Sequence, residues 1–312
     1  MWHAHLARDS RAGRPCHLGK LNQALVCAMQ ILFTGASSAV GRCVLERLLE
    51  STEDVEVWCS RHRSDVAAEA RVHVLDLDLA AQFDEQSLPD MIDMTIHFAG
   101  VTHARDAESY WQVNHRGTMR LAECVRARGC GRFVYISSRC ATAASGAYGE
   151  SKLAAENELK KFDWESLLII RPSEVYGARG KEGIDRLIAL AQRWHLTPSM
   201  FGNSRIVFSP VHIDDFAVIA ADEIMMPPKG LRIVELSGPE DLNSSALARR
   251  IAKRYKALPV PVWWPLFALF LKVAAGFNSR LVVPDQLQRL TCAKTGTAET
   301  ADRTGRIRFL LD

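Results

Sequence analysis

The stretch FTGASSAVGR, residues 33–42, joins an apolar run to a segment whose apolar residues recur at helical spacing. A turn in this position is typical of a dinucleotide site, because backbone N–H groups at the start of the helix face the pyrophosphate. Gly35 allows the tight turn, and Gly41 lets the helix approach the sheet closely. Ser38 and Ala39 stand where the usual fingerprint has a middle glycine. An ordinary strand-to-helix turn that binds no ligand is the alternative interpretation.

Short apolar runs alternate with helical stretches over the first part of the chain, as in MQILFTG followed by AVGRCVLERLLES. This alternation predicts parallel strands with crossover helices, hence an α/β fold with a Rossmann-type doubly wound parallel sheet. The rhythm changes later, which indicates a smaller C-terminal substrate-binding lobe. The predicted divisions are a disordered leader over 1–28, an NAD(P)-binding domain over 29–176, and a lobe over 177–312 whose segment 206–238 returns to complete the sheet.

The composition fits a packed enzyme-sized domain and argues against several other classes of protein. The chain has 312 residues, of which 48% are hydrophobic and 24% charged, with a net charge of only +3. Scattered charges of this kind do not indicate a nucleic-acid partner. Eight cysteines lack C-x-x-C or zinc-finger spacing, so we predict free thiols, no metal site and a cytoplasmic location.

Two segments invite a membrane or targeting interpretation. The leader contains the short apolar piece LNQALVCAM, which leaves a signal peptide as an alternative to a disordered tail or an upstream start. The stretch VWWPLFALFLKVAAGF, residues 262–277, contains Pro265 and Lys272 and is shorter than the roughly 20 apolar residues of a spanning helix. We predict a buried or partly exposed helix without stable membrane insertion, and contact with a membrane surface is the alternative.

The end of the second strand indicates which dinucleotide is bound. An NAD site there usually offers an acidic residue to the ribose 2′-hydroxyl, whereas an NADP site offers arginine to the 2′-phosphate. The sequence VEVWCSRHRSD, residues 55–65, has no acid at Cys59 or Ser60, and Arg61 and Arg63 follow at once. These arginines favour NADP over NAD as the cofactor, and a solvated basic loop is the alternative.

A series of further motifs occurs along the chain: TGASSAVG, DLAAQF, HFAG, VNHRGT, FVYISS, YGESK, RPSEVYG and VHIDDFA. In this order they make residues 29 to about 250 resemble the extended short-chain dehydrogenase/reductases, the NAD-dependent epimerase/dehydratase family. The family acts largely on nucleotide sugars. The resemblance therefore implies an NAD(P)-dependent epimerase or reductase that acts on a nucleotide-sugar hydroxyl or carbonyl.

The resemblance implies Ser138, Tyr148 and Lys152 as the catalytic residues. Tyr148 and Lys152 are four residues apart, so they share one face of a predicted helix. A nearby ammonium is expected to lower the tyrosine pKa from its usual value near 10, which would let Tyr148 serve as acid and base during hydride transfer. Ser138 would hydrogen-bond the reacting oxygen, and Ser137 is its rival for that role.

The family motifs and the arginine pattern together predict a cofactor site at the strand ends. The predicted cofactor residues are Gly35, Ser37, Ser38, Val40, Gly41, Arg61, Arg63, Asp78, Leu79, Phe98, Ala99, Gly100, Tyr148, Lys152 and Pro172. Asp76 is a rival of Asp78 beside the adenine. Asn114 begins a helix motif and has a simple helix cap as its alternative role. Arg205 is predicted to contact the substrate diphosphate.

Several residues are better explained by structure than by chemistry. Asp214 and Asp215 are expected to be helix-start acids favoured by the helix dipole, and His97 and His212 to be packed, hydrogen-bonded histidines. Two other functions stay open: an NADPH-dependent carbonyl reductase of a non-sugar substrate, and a non-catalytic dinucleotide-binding sensor or assembly subunit. A homodimer is also left open. The residues beside Tyr148 lack the acidic pair of a 4,6-dehydratase.

Overall fold

The structure is a computed structural model. It describes residues 28–61, 69–104, 106–178, 183–277 and 285–292. Arg63 and nearly all of the predicted leader lie outside these residues. Within them, no helix combines the length and the apolar character needed to cross a membrane.

The strands are short and alternate with helices through most of the chain. They are β1 Met29–Thr34, β2 Val55–Arg61, β3 Val72–Asp76, β4 Met94–His97, β5 Arg132–Ile136, β6 Ser166–Pro172, β7 Val175–Tyr176, β8 Leu196–Phe201, β9 Val207–Phe208, β10 Val211–His212, β11 Gly230–Leu236, β12 Leu242–Asn243 and β13 Leu258–Trp263. The α-helices are α1 Ala39–Ser51, α2 Ala107–Tyr110, α3 Thr118–Ala127, α4 Ala147–Leu159, α5 Gly183–Trp194, α6 Ile213–Met225, α7 Ser244–Tyr255, α8 Trp264–Phe277 and α9 Gln286–Thr291.

Seven strands form one parallel sheet in the order β11-β6-β5-β4-β1-β2-β3. The strand order reverses between β1 and β4, because β2 and β3 lie on one side of β1 and the later strands lie on the other. Open α/β sheets bind ligands at such a reversal, beyond the carboxyl ends of the strands. The predicted Rossmann-type fold is confirmed.

Apolar side chains from the sheet pack against helices on both faces. On one face α1 packs against α6, and on the other α3 packs against α4. Helix α1 buries Val44, Leu45, Leu48 and Leu49, which recur at helical spacing and therefore share the face toward the sheet. The two apolar layers fix the positions of the strand ends that carry the predicted site.

A separate apolar cluster lies in the later part of the chain, with Tyr176, Ile184, Phe208 and Leu247 among its members. Helices α5 and α7 pack there against β8, which pairs in parallel with β13. The sequence pattern indicated neither of these two strands, because LTPSMF and LPVPVW are rich in proline and lack regular alternation.

The helix before β5 differs from its expected form. It begins at Ala107, where the Asp106 carboxylate accepts a hydrogen bond from Ser109 N, and it runs through a π-helical segment, Trp111–Gly117, into α3. Asn114 therefore lies inside the helix. Its alternative role as a helix cap is wrong, because Asp106 provides the cap eight residues earlier.

Candidate active site

The turn after β1 is shaped by its glycines and closed by Ser38. Gly35 has φ +80°, and a Cβ there would lie 2.5 Å from Ala99 N. A Cβ on Gly41 would lie 2.3 Å from Gly35 O. Ser38 is the N-cap of α1: its hydroxyl donates to Gly35 O at 2.9 Å and accepts from Gly41 N at 3.0 Å. The turn thus keeps its compact form without a middle glycine.

A cleft of about 330 Å³ opens beside this turn, at the reversal in strand order. Eight of the predicted cofactor residues line it together with neighbouring apolar groups. The lining consists of Gly35, Ser37, Ser38, Ser60, Leu77, Asp78, Leu79, Ala80, Phe98, Ala99, Gly100, Val101 and Val113. Asp78 is held by a local turn, since its Oδ1 accepts from Ala80 N at 2.8 Å.

Gly100 joins the cleft to the predicted catalytic residues. A Cβ at this position would lie 3.0 Å from Asn114 Oδ1 and 3.4 Å from Lys152 Nζ. Asn114 is fully buried and holds the chain after β4 from both sides, accepting from Val101 N at 2.7 Å and donating to Val101 O at 2.9 Å. The side chain of Asn114 therefore fixes the backbone that separates the cleft from Lys152.

Ser138, Tyr148 and Lys152 meet where β5 ends against the start of α4. The Ser138 side chain lies close enough to the Tyr148 hydroxyl to lower the pKa of that group. Lys152 is buried, donates to Ile136 O at 2.7 Å and places Nζ 4.5 Å from the centre of the Tyr135 ring. The rival Ser137 is buried, and its hydroxyl has no hydrogen-bond partner in the described structure.

The electrostatics of this group differ from the sequence-based expectation. Burial raises the pKa of Tyr148 above its usual value, while the Arg289 cation and the Ser138 hydrogen bond act to lower it. Burial lowers the pKa of Lys152 to about 7, and the Glu156 carboxylate acts in the opposite direction. The expected lowering of the tyrosine pKa by Lys152 is not found. The lysine donates to a backbone carbonyl, and the cation close to the phenol is Arg289.

Helix α9 supplies groups that sequence reasoning missed. The Arg289 guanidinium carbon lies 4.1 Å from the centre of the Tyr148 ring, and its Nη1 donates to Thr102 O at 2.7 Å. Asp285, buried just before α9, accepts from Tyr148 N at 3.1 Å. It also accepts from the Tyr110 hydroxyl at 3.4 Å. No local sequence motif identifies Asp285 or Arg289, because both residues matter only through their contacts with Tyr148, which is far from them in the sequence.

Gly146 explains how α9 can come so close to the start of α4. It has φ +86°, and a Cβ there would lie 2.6 Å from Gln288 Oε1 and 2.8 Å from Asp285 Cβ. Any larger residue would therefore push the segment that begins at Asp285 away from Tyr148.

Arg61 is held by a carboxylate at the neighbouring strand end. Its Nε lies 2.9 Å from Asp76 Oδ1 and its Nη2 lies 3.0 Å from Asp76 Oδ2, a two-point pairing between β2 and β3. The Arg61 hydrogen bond lowers the pKa of Asp76. Of the two candidates for the position beside the adenine, Asp78 lines the cleft, whereas Asp76 is paired with Arg61 and does not line it.

Other predicted residues lie outside the cleft lining. Val40 packs against the apolar core, Pro172 ends β6 with its carbonyl bonded to Arg139 N, and Arg205 is exposed in the turn between β8 and β9. Asp214 and Asp215 lie in the first turn of α6, as predicted. In the described residues no cluster of metal-binding side chains occurs.

Both histidines are packed and hydrogen-bonded, as predicted. His97 is fully buried between Thr34 Oγ1 at 2.6 Å and Thr118 Oγ1 at 2.9 Å, and burial lowers its pKa to about 3. His212 caps α6 by accepting from Asp214 N at 3.3 Å. Neither histidine is among the residues that line the cleft.

The seven-stranded parallel sheet, the glycine turn and the cleft at the strand reversal define a Rossmann-type dinucleotide-binding fold. Residues 31–221 match the NAD dependent epimerase/dehydratase family over more than half of the chain. The protein belongs to this family, whose extended short-chain dehydrogenase/reductase fold it shares with known epimerases.

Curated relatives include enzymes of two kinds. A ceramide reductase of Caulobacter vibrioides is 31% identical over 209 residues, which span 66% of this chain and 64% of that protein. The aligned region thus covers less than two thirds of that relative. A UDP-glucose 4-epimerase of Vibrio cholerae is 26% identical over 265 residues, spanning 75% of this chain and 79% of the epimerase.

Solved structures show the same fold. The structure of MoeE5 in complex with UDP-glucose and NAD superposes with a TM-score of 0.63 at 20% sequence identity, covering 75% of this chain and 84% of MoeE5. At this level of identity the likeness establishes the architecture and leaves the substrate to be argued from the site.

Proposed function

We propose that this protein is an NAD(P)-dependent oxidoreductase in which Tyr148 moves a proton while hydride passes between the nicotinamide and a substrate carbon. The observation that carries this proposal is the buried Tyr148 side chain, which has Ser138 close to its hydroxyl and Lys152 one turn further along α4, behind a cleft edged by Gly100. The glycine turn fits a dinucleotide, because Gly35 has a positive φ and has no room for a side chain.

The chain's own residues provide the proton chemistry. The bound nicotinamide would supply or accept the hydride. In the reducing direction the Tyr148 hydroxyl gives its proton to the substrate oxygen, and in the oxidising direction the phenolate takes that proton back. Ser138 hydrogen-bonds the same oxygen and Tyr148. Arg289 stabilises the phenolate, which is the charged form that burial alone disfavours.

We propose a nucleotide sugar as the substrate. Support comes from membership of the family and from the 26% identity to a UDP-glucose 4-epimerase. The second candidate is reduction of a non-sugar carbonyl, and it is favoured by the 31% identity to a ceramide reductase. Interconversion of UDP-glucose and UDP-galactose would support the first candidate, whereas NAD(P)H oxidation that depends on a lipid ketone would support the second.

The identity of the dinucleotide depends on Arg61 and Asp76. For Arg61 to bind a 2′-phosphate it must exchange its two contacts with Asp76 for contacts with the phosphate, and Asp76 would then repel that phosphate. Arg61 still favours NADP within our proposal. The Arg61→Glu variant should lose affinity for NADPH more than for NADH, and Asp76→Asn should gain affinity for NADPH. An equal effect on both cofactors in either variant would contradict the preference.

The Tyr148→Phe variant tests the mechanism. Turnover should fall at least about a hundredfold because the proton donor is lost, while binding of NADH or NADPH, followed by nicotinamide fluorescence, should stay close to that of the parent. Tyr255→Phe on α7 is the matched control and should retain both properties. Persistent turnover in Tyr148→Phe would reject Tyr148 as acid and base.

Binding without turnover by the parent protein would instead indicate a non-catalytic dinucleotide-binding subunit. Mass spectrometry of the nucleotide that copurifies with the chain distinguishes the remaining alternatives. A retained NAD would favour an epimerase, because a 4-epimerase recycles its cofactor within one turnover. Failure to bind NADH and NADPH would contradict the whole proposal.

A further inference from the structure

We propose that α8 docks this protein onto a membrane surface with anionic lipid headgroups. The helix exposes Leu266, Leu269, Phe270 and Val273, here called the α8 stripe. Their exposed fractions are 60%, 57%, 64% and 49%, and their spacing of three and four residues places them side by side on one face. A contiguous apolar face of this kind marks an interaction site on a folded protein.

The α8 stripe is additional to the face with which the helix packs on its own protein. Leu271 is buried, and Trp264 and Phe267 are half-buried. These three residues form the inward face of α8, so the α8 stripe is not needed to pack the helix on its own protein. Fourteen residues are too few for a helix to span the bilayer core, which needs about 20. A helix that is apolar on its outward face and too short to cross can lie in the plane of the interface.

Charge identifies the surface that the stripe would meet. Residues 244–277 contain six arginine and lysine residues and no aspartate or glutamate, although the whole chain carries 39 basic and 36 acidic residues. Lys253 and Lys256 near the end of α7 are exposed, and Lys272 is exposed on α8 itself. Trp263, the half-exposed last residue of β13 directly before α8, has the amphipathic ring that favours the membrane interface.

The basic groups and the stripe belong to consecutive elements. Lys256 ends α7 two residues before β13, and β13 runs directly into α8. Helix α7 packs against β13, which keeps its basic end in the same part of the lobe. Acidic headgroups complement this arrangement, because cations that flank a buried apolar face strengthen binding to anionic lipid.

A second copy of the chain fits the surface less well. In a two-fold dimer the same patch meets itself, so the lysines and arginines of one copy would face those of the other. Like charges placed opposite each other weaken association; the segment itself has no acidic residue, and Glu240 just before it pairs with Arg250. An anionic bilayer would bury the α8 stripe and also bind the neighbouring lysine and arginine side chains.

Flotation of the full chain with lipid vesicles tests the proposal. The protein should float with vesicles of phosphatidylcholine and phosphatidylglycerol, float less with pure phosphatidylcholine, and lose binding as salt is raised. Phe270→Glu should reduce the vesicle-bound fraction at least about tenfold by placing a charge in the apolar contact. Met226→Glu, at an exposed apolar position after α6, is the matched control and should bind like the parent.

A double variant, Lys253→Glu with Lys256→Glu, should weaken binding to the anionic vesicles and make the remaining affinity less sensitive to salt than that of the parent. Circular dichroism and the melting temperature confirm that each variant is folded. Absence of flotation with either vesicle would overturn the proposal, as would unchanged flotation of Phe270→Glu. A parent that stays with the vesicle-free fraction and sediments as a dimer, which Phe270→Glu converts to monomer, would assign the stripe to a contact between copies.

Discussion

At the scale of single residues, Ser38 shows how the turn after β1 is closed without a middle glycine. Its hydroxyl bridges Gly35 O and Gly41 N, so the side chain closes the turn and caps α1 at the same time. The requirement for glycine is concentrated at positions 35 and 41, where a Cβ would lie within 2.5 Å of backbone atoms. Both of those residues were identifiable from the sequence because their spacing belongs to the motif.

Ser38→Ala should destabilise the protein by about 1 kcal/mol, since the N-cap acceptor for Gly41 N is lost. Urea unfolding measures this change as a lower midpoint. Cofactor affinity should stay close to that of the parent, because the hydroxyl is engaged within the turn. A large loss of cofactor affinity with unchanged stability would show that Ser38 acts on the phosphates instead. Ser38→Gly is the control, as glycine at an N-cap costs only a few tenths of a kcal/mol.

Arg289 should set the pH dependence of the reaction through Tyr148. Its cation lowers the pKa of the buried phenol, so Arg289→Gln should raise that pKa further. The phenolate then forms only at higher pH, and the rising limb of the profile for the oxidising reaction should move upward. Arg289→Lys keeps the charge and should move the limb less. Superimposable profiles for the parent and Arg289→Gln would contradict this role.

At the scale of elements, α4 organises the site through one helical face. Tyr148, Lys152 and Glu156 follow at intervals of four residues, and all three are buried. Glu156 is 0% exposed and binds Arg171 of β6 at 2.6 and 2.9 Å, which ties the end of the catalytic face to the sheet. Glu156 also raises the pKa of Lys152, opposing the effect of burial.

Glu156→Gln should destabilise the folded protein by about 3 kcal/mol, because Arg171 would lose its two-point charged partner and keep only the longer 3.5 Å contact with Glu235. Chemical denaturation gives this difference directly. Glu158→Gln, two residues away on an exposed face, removes only a contact with His115 and should cost much less. An equal loss in the free energy of unfolding for the two variants would show that the buried Glu156–Arg171 pair stabilises the protein no more than a surface ion pair does.

The sequence predicts elements well where packing is local. The bounds of β1 and α1 agree with the runs MQILFTG and AVGRCVLERLLES. The pairing of β8 with β13 was not predictable, because two proline-containing segments far apart in the chain show no shared periodicity. The early start of the helix at Ala107 was missed for another reason: its cap lies ahead of the family motif.

At the scale of the whole molecule, the candidate active site is assembled from both ends of the described chain. The cleft comes from the strand ends before residue 120, while Asp285 and Arg289 reach Tyr148 from the last described helix. Periodicity and motifs identified the first group and gave no signal for the second. The hydrogen bond from Tyr148 N to Asp285 joins residues 137 positions apart. It forms only in the folded lobe, and the sequence pattern of a single chain does not predict it.

A chain ending at Phe277 should therefore separate cofactor binding from catalysis. It keeps the parallel sheet, the glycine turn and the cleft, so NADH or NADPH should still enhance nicotinamide fluorescence. It loses the bond from Tyr148 N to Asp285 and the Arg289 cation over the phenol, so turnover should fall at least about tenfold through misplacement of the proton donor. Circular dichroism establishes that the shortened chain is folded. Undiminished turnover would show that α9 is dispensable, and an equal loss of cofactor affinity would show that α9 supports the cleft itself.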